Sequence, residues 1–175
     1  GDCDGELGTT WRPHSHFEYL TGVTNEPGAM LLFDPESPVP ARREVLFLLP
    51  RDPEVEQWGG IRKPLGSELR NDIGVTTILR TRSLQVVLKD SASRTKQFAT
   101  LMPQAGVDAP VTKDLELWNT LRERTPGCKL ASCSDVIPKL RSVKSSAEIQ
   151  TIQEAVDITA RGFADAMKFV KAGLN

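Results

Sequence analysis

Arg12-Pro-His-Ser-His-Phe-Glu-Tyr-Leu-Thr-Gly22, followed closely by Asn25-Glu26-Pro27-Gly28-Ala29, carries the densest local signal in the chain. Alternation predicts a short strand, with Phe17, Tyr19 and Thr21 facing one way and Glu18 and Leu20 the other. Gly22 opens a turn that Glu26-Pro27-Gly28 completes. His14 and His16 stand two apart, so a strand would bring both imidazoles to one face, a spacing open to a metal. Two imidazoles with no third ligand nearby make an incomplete site, and no metal role is assigned to them.

Downstream, Ala29–Phe33 and Val45–Leu49 are continuous apolar runs of the kind shown by strands covered on both faces. They are expected to pair antiparallel across the Pro-rich loop Asp34–Arg43. Asp52 before Pro53 is a helix start, a cap followed by proline in the first turn, and Gly59-Gly60 ends that helix directly after Trp58. An indole beside two glycines suits a contact surface, although packing on its own domain stays open as the plainer role. Glu54 and Glu56 read as ordinary carboxylates of an exposed helix start. Leu65–Ile73 predicts a helix ended by Gly74, and Val75–Leu79 a strand. Leu84–Leu88 fits either a short helix or a strand, Ser91–Gln97 reads as a polar basic loop, and Phe98–Met102 as a strand. Thr112–Thr125 is a helix with Leu115, Leu117, Trp118 and Leu121 on its buried side, Trp118 as a core anchor, closed by Pro126-Gly127. This alternation of strands and helices predicts an α/β sandwich.

Asp135–Ser145 reads as extended, held out of helix by Pro138. Ser145-Ser-Ala-Glu148 is a capping box, and Ile149, Ile152, Val156, Thr159, Phe163, Met167 and Val170 then follow at helical steps.

A chain of 175 residues has room for one compact domain, burying about 70% of its unfolded surface. Its 22 basic and 23 acidic residues nearly cancel, which removes the electrostatic basis for nucleic-acid binding. The longest apolar runs are about five residues against roughly 20 needed to span a bilayer, so no membrane partner is expected. Cys3, Cys128 and Cys133 are odd in number, and both histidines precede Tyr19, so neither a disulfide framework nor a zinc pattern emerges. Reduced thiols are expected, and, with no secretory signal visible, a cytoplasmic location. No phosphate-loop or nucleophile-elbow pattern is present. Residues 1–11, polar and Gly-rich, read as loop.

Arg12, Ser15, Phe17, Tyr19-Leu20-Thr21-Gly22, Asn25-Glu26-Pro27 and Ala29 resemble the segment that opens the recognisable part of the N-terminal domain of Xaa-Pro aminopeptidases (aminopeptidase P) and their prolidase relatives. Pro13 stands in place of the usual Gln, and His16 in place of the usual Asp or Asn. The run Arg51-Asp52, Glu56, Trp58, Gly60, Arg62 is similar to a second family pattern. Arg141, Lys144, Ser145, Glu148, Ile149, Ala155, Ile158 and Thr159 resemble the junction and first helix of the family's catalytic "pita-bread" domain. Arg141 and Lys144 have a solvated linker as their plainer role.

The resemblance implies a mixed β-sheet flanked by helices, of the creatinase and aminopeptidase P N-terminal type, followed by a long C-terminal helix. Residues 1–134 would form the N-terminal domain, lacking its first helix and strand, 135–144 a linker, and 145–175 the first helix of a truncated catalytic domain. The implied reaction is hydrolytic removal of a residue preceding proline, by water activated between two divalent metals, commonly manganese. The family's metal ligands, two Asp, one His and two Glu, would all lie downstream, and no His occurs after His16. No catalytic residue, metal ligand or cofactor is therefore assigned to this chain. Trp58 is implied at substrate access or a subunit interface, Arg62 at a common family arginine, with the chain's own catalytic domain and a homo-oligomer, dimer or tetramer, as partners. The alternatives are a non-catalytic protein-binding module, as in peptidase-like subunits of histone chaperones, and the N-terminal domain of a proline dipeptidase or creatinase.

Overall fold

The computed structural model describes residues 12–101, 107–108 and 110–170, and for Trp58, Gly59 and Lys113 the backbone alone. The chain divides into two compact units between Cys133 and Ser134. The first unit runs α1 (Ser15–Thr21), β1 (Met30–Phe33), β2 (Glu44–Leu48), α2 (Pro53–Gly59), α3 (Ser67–Ile73), β3 (Thr77–Arg80), α4 (Leu84–Thr95), β4 (Gln97–Thr100), α5 (Lys113–Arg124) and β5 (Lys129–Ser132).

Two sheets are formed, three-stranded β1-β2-β3 and two-stranded β4-β5. β1 and β2 pair antiparallel, with Met30 opposite Phe47, and β2 pairs parallel with β3, with Leu46 opposite Ile78. The period of two along each strand sorts the apolar side chains into two cores. Val45 and Phe47, with Met30, Leu32 and Leu79, pack against Leu84, Leu88 and Ala92 of α4, Leu117, Trp118 and Leu121 of α5, and Phe98 of β4. Leu46, Leu48 and Ile78, with Leu31, pack against Phe17 of α1 and Leu69 and Ile73 of α3. Helices thus cover both faces of the three-stranded sheet, and β2 is the strand the sequence describes, with Val45–Leu48 at most 1% exposed.

Three expectations are overturned. Residues 15–21 form helix α1 instead of a strand. Phe17 and Thr21 share a strand face at spacing two, but they share a helix face at spacing four as well, and here the end groups decide. His14 Nδ1 accepts the His16 N–H at 3.3 Å, and Gly22, in the left-handed region at φ 67°, donates its N–H to the Glu18 carbonyl at 2.7 Å. The buried Thr21 hydroxyl donates to the Phe17 carbonyl and accepts the Val23 N–H. Second, the ambiguous Leu84–Leu88 stretch is helical, and α4 continues through the expected loop to Thr95, because Ser91 and Ala92 are buried and Ser91 and Arg94 both bond to Asp34. Third, Val136–Ser142 is helix α6. Pro138 falls at the third residue of its first turn, where a backbone N–H has no intrahelical acceptor, so the ring costs no hydrogen bond. Sequence reading also passed over β5, whose four residues, Lys129–Ser132, carry one large apolar side chain, Leu130.

The second unit consists of α6 and α7 (Ser146–Phe169). The capping box forms as expected: Ser145 Oγ accepts the Glu148 N–H at 3.3 Å, and the Glu148 carboxylate accepts the Ser145 N–H at 2.8 Å. Among the described residues, no helix is long and apolar enough to cross a membrane.

Candidate functional site

β2 and β3 run parallel and β1 antiparallel to them, so the exits of β2 and β3 and the entry to β1 share one end of the sheet. The loops at that end bring the two recognition segments together. Asp52 caps α2, its carboxylate accepting the Glu54 N–H at 3.0 Å, with Pro53 in the first turn. Arg51, just outside the helix, donates from Nε and Nη2 to the two oxygens of Glu56, each at 3.1 Å. The arginine holds the Glu56 carboxyl below the usual carboxylate range, with a smaller contribution from the Arg62 backbone amide. Glu56, read from sequence as an exposed carboxylate, is 8% exposed and joins the entry of α2 to its exit.

α2 stops at Gly60, whose φ of 88° and ψ of 157° are open only to glycine. The chain then turns back, and Arg62 comes to rest 4.0 Å from the Glu26 carboxylate, the two side chains being 16% and 12% exposed. Neither the facing Nη1 nor Oε2 atom has a hydrogen-bond partner among the described residues. Arg80, the last residue of β3 and 8% exposed, donates to the Leu49 carbonyl at 2.8 Å and the Lys63 carbonyl at 3.0 Å. It thereby fixes both ends of the α2 segment to the sheet. Burial pulls the Arg80 guanidinium below its usual range, and the charge of Glu26 works in the opposite direction. Lys63 is paired with Asp72 of α3 at 2.6 Å.

Of the two residues singled out from sequence, Arg62 is thus placed in a buried charged cluster, while the backbone of Trp58 lies in the last turn of α2 and its side chain is outside the described set. Glu26, Arg51 and Glu56 entered only as residues of the family patterns, without a site role, and Arg80 was not singled out. A lone arginine ending the alternating Thr77-Ile-Leu-Arg80 run was the available signal, since an arginine sharing a face with a core isoleucine needs partners. The arrangement supplies rigid positioning of a short helix by interleaved cations and carboxylates. It contains no nucleophile and base in contact.

His14 and His16 face each other edge to face at 5.0 Å, with the His14 Nδ1 engaged in the α1 cap. Among the described residues no group of three His, Cys, Asp or Glu side chains could hold a metal ion. Cys128 is a buried thiol whose pKa is raised by burial; Cys3 lies outside the described residues.

Residues 4–100 match the family described as aminopeptidase P, N-terminal domain. The chain is 33% identical over 170 residues to the Xaa-Pro aminopeptidase of Haemophilus influenzae, covering 90% of this chain and 34% of that protein. It is 26% identical over 178 residues to Xaa-Pro aminopeptidase 3 of Homo sapiens, covering 93% and 32%. Among solved structures, aminopeptidase P of E. coli in its low-pH form matches with a TM-score of 0.74 at 22% identity, over 99% of this chain and 39% of that one. Aminopeptidase PepP of Pseudomonas aeruginosa matches at 0.73 and 23% identity, over 98% and 39%. The chain spans 34% and 32% of the length of the two curated relatives. With the expected mixed sheet, flanking helices and long C-terminal helix in place, the chain belongs to the aminopeptidase P N-terminal domain family.

Proposed function

We propose that this chain is the non-catalytic N-terminal domain of a proline-specific metallo-aminopeptidase, a hydrolase that removes the residue preceding proline, and that its Asp52–Arg62 segment shapes substrate access and subunit contact. The observation that carries the second part is the anchoring of α2 on both sides. Arg51–Glu56 and Arg80 hold its entry, and Gly60 with Arg62–Glu26 holds its exit, so that Trp58 ends a short helix whose position is over-determined. A segment fixed so heavily at the exit end of parallel strands suits presentation to a neighbouring body.

The proposed reaction uses two divalent metals, manganese in this reading. In this reading the metals and their ligands belong to the catalytic domain. The same proposal takes residues 1–134 as the N-terminal domain, 135–144 as the connection and 145–175 as the first catalytic helix. It takes the parent protein to be a cytoplasmic homo-oligomer acting on peptides with proline second.

Two measurements test it. Incubated with manganese and an Xaa-Pro peptide, the purified chain should give no turnover; metal-dependent turnover from a clean sample would overturn the assignment of chemistry elsewhere. In the parent protein, Trp58→Ala should lower kcat/KM for Xaa-Pro peptides or dissociate the oligomer by light scattering. Unchanged activity together with unchanged mass would reduce Trp58 to local packing.

A further inference from the structure

α4 and α5 pack into the same core, the one that holds Val45 and Phe47, and between them they leave a groove of about 320 Å³. That is the small end of the range for sites that take a small organic molecule. Its lining follows helical spacing. Gln85 and Lys89 stand one turn apart on α4 with Leu88 between them, and Leu117, Leu121 and Arg124 repeat at steps of four and three on α5, so each helix turns one strip toward the groove. The floor is aliphatic. Leu88 is 2% exposed and Leu117 and Leu121 are half-buried, while Val86, also in the lining, is 71% exposed and marks the mouth. Among the described residues no aromatic ring lines the groove, so its apolar surface suits a flexible chain better than a stacked ring.

The charge around it is of one sign. The carboxylates of the two helices, Asp90, Asp114, Glu116 and Glu123, do not line the groove, whereas Lys89 and Arg124 do. Elsewhere on these helices the cations have partners: Arg94 is tied to Asp34 and Asp90, and Arg122 to Asn119. Lys89 and Arg124 have no hydrogen bond or ion pair among the described residues. Arg124 ends α5, where a cation complements the helix dipole, but Lys89 lies in the middle of α4 and has no such role. Thr120 and Thr125 add hydroxyl donors to the α5 side.

Two unpaired cations beside aliphatic surface are complementary to an anion with an aliphatic body. We infer that the α4–α5 groove binds a straight-chain alkyl carboxylate. The chain lies along Leu88, Leu117 and Leu121, and the carboxylate accepts charge-assisted hydrogen bonds from Lys89 and Arg124. A groove of this size takes one short chain, which makes octanoate the probe.

The test is titration of the 175-residue chain with octanoate at pH 7, followed through amide NMR shifts. Saturable shifts are expected over residues 85–89 and 117–125, with half-saturation at about 1 mM or below. Hexanoate, shorter by two methylenes, should bind roughly tenfold more weakly. Octan-1-ol, with the same chain and no charge, should bind about fivefold more weakly than octanoate. Lys89→Gln combined with Arg124→Gln should bring octanoate to the octanol value and leave octanol binding unchanged; both side chains are exposed, so the core is left intact. The inference fails if octanoate gives no saturable shift, if octanol binds as well as octanoate, if the double variant binds octanoate undiminished, or if the shifts fall instead on the exposed Ile149, Ile152 and Val156 of α7. Shifts over residues 85–89 and 117–125 that grow with chain concentration in the absence of octanoate would also overturn it, showing that a second copy fills the groove.

Discussion

Arg62 lies 4.0 Å from the carboxylate of Glu26, and this contact joins the two segments by which the chain is recognised, the two side chains 36 residues apart in sequence and both largely withdrawn from water. Glu26 serves two cations, since its charge also offsets the desolvation of Arg80. The pair is a wedge between the β1 entry and the α2 exit, and its energetics decide how firmly α2 is held.

Glu26→Gln should accordingly cost more than its one ion pair suggests, because two buried guanidinium groups lose their counter-charge. A loss of about 1–3 kcal/mol is expected in urea unfolding. Adding Arg62→Met removes one of the stranded cations, so the double variant should be more stable than the sum of the single losses predicts. Strict additivity would show that the 4.0 Å contact carries no coupling.

The Asp34–Arg94 bond sets an acid limit on the first unit. Hydrogen bonding from Arg94 is the largest influence on Asp34 and, with Ser91, holds its carboxyl below the ordinary 3.8 despite burial. A carboxylate with a lowered folded-state pKa contributes stability that is fully present above the unfolded value near 4 and is lost as pH falls through the folded value. Asp34→Asn should cost about 2–3 kcal/mol at pH 7. The gap from the native chain should narrow as pH falls below 4 and through the lowered folded-state value. A constant gap across that range would remove the charge from the account.

What the sequence announced and what it concealed follow from how local each cause is. The Asp52-Pro53 start, the Gly60 and Gly74 stops and the Ser145–Glu148 box are short-range devices, and each stands where it was read. α1 was misread because seven residues fit both periods, and only the His14 and Gly22 ends separate them. The second half of α4 was misread because Ser91 and Arg94 look like loop until Asp34, some sixty residues earlier, is brought against them. The cluster around Arg62 was hidden for the same reason: Glu26, Glu56 and Arg80 have ordinary neighbours in sequence and acquire their meaning from strand order.

Gly60 offers a test of how α2 is ended. Its φ of 88° and ψ of 157° lie where only glycine is comfortable, yet a Cβ built there meets nothing within 4 Å, so a substitution is penalised by backbone conformation alone. Gly60→Ala should cost about 1–3 kcal/mol. Gly74→Ala, at φ 79° and ψ 5° with equally open surroundings, should cost about 1–2 kcal/mol. If Gly60→Ala is the milder of the two by urea midpoint, the α2 exit has a second conformation available to it.

Lys96 is the opposite case, a site where change should help. It is the one non-glycine residue with positive φ among the described residues, at 51°, and it forms the left-handed C-cap of α4. The position is fixed from both sides: its N–H donates to the Ala92 carbonyl at 3.2 Å, and its carbonyl accepts the Lys129 N–H at 2.8 Å, the first rung beside β4 and β5. The side chain is exposed, so little packing is at stake. Lys96→Gly alone mixes relief of strain with loss of a cation at a helix C-terminus, two effects of opposite sign. Comparison with Lys96→Ala separates them, since both variants lack the charge and only glycine accepts the left-handed region freely. Left-handed strain of about 1–2 kcal/mol, less the greater unfolded-state freedom of glycine, leaves the glycine variant more stable than the alanine variant by about 1 kcal/mol. Equal stability of the two by thermal unfolding would mean that the α4 to β4 junction relaxes out of the left-handed conformation once the lysine is gone.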